Sequence, residues 1–216
     1  MTIPFLTPRP MDGGGGQPAI AAGGSSADLA IRLVCQEEGQ WCWAAVTQAV
    51  EDWRGSAVSQ SEVASHHIAP DGGLVCAAPL GAAGGQVCAA CAVGCDDAHF
   101  LSAVLGERDR LRSAPINDAP TFKAIREAIY VDQRPIPLRI DWGADTNHSG
   151  HFICVVGYKV DGAGKQWVRV FDPLSPGIGE GETEPLTMRF SDLVGVASYV
   201  ASSGSGGSVN YTYEVQ

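Results

Sequence analysis

The hydrophobic pattern of this 216-residue chain changes period near residue 135. Before that point apolar residues recur at spacings of three and four. Trp43, Val46, Val50 and Trp53 mark a helix over 42–54, with Gly55 as its C-cap. Ser59 and Glu62 form a capping box for a second helix over 59–65. Helical patterns return over 100–111 and over 121–130, the latter with Phe122, Ile125 and Ile129 along one stripe. After residue 135 short apolar runs predict strands over 136–140, 152–160, 166–171, 187–190, 196–200 and 211–215. Helices first and antiparallel strands later is the α+β arrangement. No internal repeat interrupts it.

Residues 1–28 stand outside that pattern. Four consecutive glycines, Gly13 to Gly16, sit among Pro and Ser and are expected to form a disordered leader or linker, with the folded domain over 29–216. The Gly- and Ser-rich tract 202–208 reads as a flexible loop. The net charge of −10 repels nucleic-acid phosphates and anionic lipid heads, so neither is an expected partner. No apolar stretch approaches the roughly 20 residues of a membrane span, so no membrane insertion is expected. A basic segment followed by an apolar one is missing from the N-terminal region, so export, if it occurs, is expected by a non-classical route.

Three segments carry candidate chemistry. Cys42 opens the first helix, where unpaired N–H groups favour a thiolate. Gln36 precedes it by six residues and offers a side-chain amide to an oxyanion together with the Cys42 backbone N–H; Gln40 is the weaker alternative. His151 opens the strand over 152–160 behind Gly150, and His148 in the neighbouring polar loop competes for the same role. Asp172 ends the strand over 166–171, just before Pro173. If Val160 pairs with Lys165 across the turn, Ile153 faces Asp172 and His151 lies on the same face, a diagonal neighbour. A slip of one residue would undo that. For each of these residues the bland alternative is structural: a buried helix-start thiol, a strand histidine, a turn aspartate.

Taken in order, these segments resemble the papain-like cysteine peptidases. Gln36 with the Trp41-Cys42-Trp43-Ala44-Ala45 run resembles their nucleophile segment. Gly150-His151 entering a Val-rich strand that ends Gly157-Tyr158 resembles their histidine segment, and Phe171-Asp172-Pro173 the third. The compact bacterial members, secreted effectors among them, are the nearest in pattern. The resemblance covers about residues 31–200. It implies a two-lobed fold, helical lobe first and sheet lobe second, with Cys42 as nucleophile, His151 as base, Asp172 as its orienting group and Gln36 in the oxyanion hole. It implies peptide hydrolysis through a thioester, with no cofactor and no metal. A protein or peptide would be the substrate, and an inhibitor or immunity protein a partner. Aspartate at the third position departs from the asparagine of the plant enzymes. The same triad also serves acyl transferases and glutamine deamidases, and a non-catalytic cysteine-braced module is a further alternative.

The chain has seven cysteines, four of them at 76, 88, 91 and 95. Cys76, Cys88, Cys91 and Cys95 suit either two disulfides or a zinc site, and disulfides are the preferred expectation for an exported protein.

Overall fold

The structure, a computed structural model, describes residues 26–68, 95–143, 150–200 and 206–216. It mixes helices with an antiparallel sheet that curls into a half-barrel. The elements run β1 (Ser26–Asp28), α1 (Cys42–Trp53), α2 (Gln60–Ile68), α3 (Leu101–Glu107), α4 (Phe122–Arg126) with a π-helical turn (Glu127–Val131), β2 (Ile136–Asp141), β3 (Gly150–Val160), β4 (Gln166–Phe171), β5 (Leu186–Arg189), α5 (Phe190–Val194), β6 (Tyr199–Val200) and β7 (Gly206–Thr212). In the sheet the strands lie in the order β5-β4-β3-β2-β7-β6, and β1 pairs with β3 as well.

Strand β3 is apolar along most of its length because both of its faces are covered. Phe152, Cys154 and Val156 join a cluster with Trp41, Trp43, Val46 and Val50 of the α1 region. Ile153 and Val155 join a second cluster with Phe122, Ile125, Ile129, Leu193 and Tyr199. The sheet therefore separates two cores. The helices that begin the chain close one, and the 122–131 segment with α5 closes the other.

Local signals account for the starts of α2 and α4. Ser59 Oγ accepts from the Glu62 N–H at 3.1 Å while a Glu62 carboxylate oxygen accepts from the Ser59 N–H at 2.7 Å, a completed capping box. Thr121 caps α4 by accepting from the Ala124 N–H at 3.1 Å.

Several expectations shift. Ser26–Asp28 is not leader but strand, pairing Ser26 with Lys159 and Asp28 with Gly157; residues 1–25 lie outside the described residues. Helix α3 stops at Glu107, four residues short, and Asp109 adopts φ 53° beyond it. The segment 196–200 opens with a turn at 196–197 behind α5 and keeps only two residues of strand. Gly206 to Ser208, expected as loop, belong to β7, which ends at Thr212 instead of beginning at 211.

The hairpin of β3 and β4 differs in a way that matters for the site. Near the turn Val160 pairs with Gln166, not Lys165. The register shifts by one between Val155 and Gly157, and beyond this bulge Cys154 pairs with Phe171. The bulge thus restores the alignment that sets Ile153 across from Asp172. It also reverses the alternation: Val156 faces the α1 cluster and Tyr158 the other. Without the bulge His151 would point to the opposite face from Asp172.

Candidate active site

Helix α1 begins at Cys42 with Trp41 at its N-cap, and no side-chain cap occupies its first turn. The orphan N–H groups there leave partial positive charge beside the thiol. Cys42 is buried except for a small exposed fraction, and Trp41 and Trp43 flanking it are fully buried. Their indoles are pinned: Trp41 Nε1 donates to the Cys95 carbonyl at 2.6 Å and Trp43 Nε1 to the Asp97 carbonyl at 3.0 Å. The start of the helix therefore has little freedom to rotate the thiol away.

His151 and Asp172 meet where β3 begins and β4 has just ended. His151 Nε2 lies 2.6 Å from Asp172 Oδ1, with both side chains buried. The Cys42 side chain stands close enough to the imidazole to favour its charged form. With Nε2 committed to the carboxylate, Nδ1 is the nitrogen left for the thiol. Cys42, His151 and Asp172 are thus brought into one chain of contacts.

Asp172 is held from three sides. Its Oδ1 accepts from the Leu174 N–H at 3.0 Å as well as from His151, and its Oδ2 accepts from the Tyr199 hydroxyl at 2.9 Å. Burial alone would raise its pKa, but the His151 hydrogen bond and charge, with the other two donors, hold it below the usual carboxylate value. Burial likewise opposes charge on His151, and it is outweighed. The hydrogen bond to Asp172, the neighbouring Cys42 and the charges of both raise its pKa to about 10. Tyr199 is pushed well above the ordinary phenol range by burial and by the Asp172 carboxylate, so it stays a proton donor. Trp142 stacks on the His151 ring at 6.1 Å between centroids and 20° between planes, and touches Tyr199 at 6.3 Å. Apolar cover of this kind shields the His151–Asp172 pair from water.

Gln36 is placed next to this group but not aimed at it. Its Nε2 donates to the Glu38 carbonyl at 2.8 Å and the Gly39 carbonyl at 2.7 Å, closing the turn that leads into α1. Its Oε1 is buried and has no hydrogen-bond partner among the described residues. The backbone around it fastens the Cys42 segment to the Asp172 segment. The Gln36 N–H donates to the Pro173 carbonyl at 2.8 Å, and the Gly179 N–H to the Gln36 carbonyl at 2.8 Å. Gln60, fully buried on α2, braces the same stretch: it donates to the Cys35 carbonyl and accepts from the Glu37 N–H. The alternative Gln40 sits in an exposed turn, with its N–H on Asp96.

No protein-family model and no curated protein matches the chain.

Sequence reasoning missed Tyr199 and Trp142 as parts of the site. Neither has a motif; β6 brings Tyr199 in through pairing with β7, and Trp142 directly follows β2. His148 lies outside the described residues, as do Cys76, Cys88 and Cys91. Among the described cysteines, Cys35, Cys42 and Cys154 are free thiols. Cys154 is fully buried, and burial raises its thiol pKa far above the ordinary value, which leaves it inert. Cys95 is buried and is not one of the free thiols.

Proposed function

We propose that the chain is a cysteine peptidase of the papain-like, two-lobed kind, with Cys42 as nucleophile, His151 as its proton carrier and Asp172 as the group that orients His151. The observation that carries this reading is the 2.6 Å contact of His151 Nε2 with Asp172 beside a thiol at an uncapped helix start. Cys42 Sγ attacks the scissile carbonyl carbon. As the C–N bond breaks, the leaving amine takes a proton from His151 Nδ1, and a thioester remains on Cys42. Water then attacks the thioester, giving up a proton to His151 and releasing the acid. The Cys42 backbone N–H serves the oxyanion, and the Gln36 amide joins it once it gives up one of its two loop carbonyls.

On this reading the substrate is a protein or peptide and an inhibitor protein is the natural partner. Export by a non-classical route, with disulfides among Cys76, Cys88, Cys91 and Cys95, belongs to the same proposal. Non-reducing peptide mapping tests the disulfides, and four free thiols would remove them. For the activity, the protein is incubated with a peptide library and with iodoacetamide near neutral pH. Fast alkylation of Cys42 together with new peptide termini supports a peptidase. Fast alkylation with amide loss or acyl transfer, and no cleavage, turns the reading to a deamidase or transferase. An unreactive Cys42 leaves the non-catalytic module.

A further inference from the structure

A second cluster of reactive side chains lies behind the helix that carries Cys42. His66 and His67 lie in the last turn of α2, and Glu107 ends α3. Both imidazoles converge on one oxygen: His67 Nδ1 stands 3.4 Å and His66 Nε2 stands 3.7 Å from Glu107 Oε2. The three potential ligand atoms all lie within 4.8 Å of one another.

Those separations are long for hydrogen bonds, which cluster near 2.7–3.2 Å for N–H···O, by about the last few tenths of an ångström. They are close to what a metal shell requires. With bonds of about 2.0–2.1 Å, two ligands of a tetrahedral zinc are about 3.3–3.4 Å apart. His67 is a buried side chain, 2% exposed. Its ring is fixed edge-to-face on Trp43, and His99 packs against it at 5.5 Å between centroids. The nitrogen that faces Glu107 is Nδ1, and a ring held this firmly presents it to an ion with little orientational freedom left to lose. His66 and Glu107 are exposed, so they can close the remaining distance and leave the far side open to solvent. Arg108, the adjacent cation, is turned to Glu51 at 3.4 Å and does not occupy the carboxylate.

We propose that His66, His67 and Glu107 bind one divalent first-row transition ion of the zinc type. Two imidazoles and one carboxylate suit zinc and its neighbours and not calcium or magnesium. Bound there, the ion ties the end of α2 to the end of α3 directly behind Trp43, next to the Cys42 position. Its role is to brace the helical side of the molecule, independent of any peptidase activity.

The test uses the full chain carrying Cys42→Ala, because zinc would otherwise also seek the thiol and histidine of the candidate active site. Zinc chloride is titrated calorimetrically, and cobalt chloride is followed by its visible absorption. One equivalent is expected to bind, with intense d–d bands for cobalt. At zinc a hundredfold above its Kd, Tm should rise by about 5–10 °C. His66→Ala and Glu107→Gln, both at exposed positions that tolerate substitution, should each weaken binding by at least about tenfold. Absence of binding overturns the proposal. So does binding unchanged in both variants, and binding lost on cysteine alkylation would assign the ion to the cysteine cluster instead.

Discussion

Asp172 accepts hydrogen bonds from His151, Leu174 and Tyr199 at once, and it is the residue on which the site's electrostatics turn. Tyr199→Phe removes a single hydroxyl from a buried carboxylate, and a hydrogen bond to a charged group contributes about 1.5–3 kcal/mol. The expected result is a loss of about tenfold or more in kcat with KM little changed, alongside a lower Tm, read by steady-state kinetics and calorimetry. The pH dependence follows from the directions of the two shifts. Asp172 is depressed, so its stabilisation is complete above the usual carboxylate pKa of about 3.9 and is lost as pH falls through the lower folded value. His151 is raised, so its stabilisation is complete below about 6.5 and is lost as pH rises through about 10. Urea unfolding should therefore show the wild type losing its advantage over His151→Gln between about pH 7 and 10. Because Cys42 contributes to holding the proton on His151, Cys42→Ala should lower the His151 pKa in an NMR titration. An unchanged value would mean that the thiol and the imidazole do not communicate.

At the scale of elements, the β3–β4 hairpin and the first strand decide whether the residues meet. Gly157 pairs with Asp28 of β1, and a Cβ there would collide with the Asp28 carboxylate and stand 3.0 Å from the Ala27 carbonyl oxygen. Gly157→Ala is expected to cost about 1–3 kcal/mol, as overpacking does, seen as a lower midpoint in urea. Asp28→Ala should recover part of that loss in the double variant; strict additivity would mean the clash is not the cause. Removing residues 1–25 should leave Tm within a few degrees, whereas removing 1–28 strips β1 from β3 and should lower it further. Much of this was legible in the sequence. The strands read over 136–140, 152–160 and 166–171 fall within β2, β3 and β4, and they were readable because runs such as Phe152 to Val156 are buried on both faces. The start of α2 was readable because Ser59 and Glu62 cap by local chemistry, whereas Thr121, read as the first helical residue, is the cap of α4. The turn register was not, since Asp161 to Gly164 admits pairing offsets that differ by one residue. The bulge at Val156 was not either, because no local residue announces it, yet it is what puts His151 on Asp172's face. Tyr199 and the employment of the Gln36 amide depend on long-range contacts, which no spacing along the chain encodes.

At the scale of the molecule, the proposed nucleophile and its partners come from different cores. Cys42 belongs to the cluster built with α1, while Tyr199, behind Asp172, belongs to the cluster on the other side of β3. Backbone bonds from Gln36 to Pro173 and from Cys35 to Gly181 hold the two parts in register. If the three residues act as one catalytic unit across that junction, their substitutions cannot add. Cys42→Ala removes the nucleophile and should reduce turnover to background. His151→Ala removes the proton carrier and should be nearly as severe. Asp172→Ala leaves both and only frees the imidazole, so residual turnover should survive; the analogous loss in serine triads is about 10⁴-fold, and a thiol that is already paired with imidazolium depends on orientation less. Gln36→Ala should cost about 10²–10³ in kcat if the amide reaches the oxyanion. It should also lower Tm, because the turn loses bonds to the Glu38 and Gly39 carbonyls. A fall in Tm without a fall in kcat would confine Gln36 to the turn. The double variant Cys42→Ala/His151→Ala should be no slower than Cys42→Ala alone. His148→Ala should be mild; loss of activity there with retention in His151→Ala would move the base to His148. Full turnover in Cys42→Ala would end the peptidase proposal, whatever the other variants did.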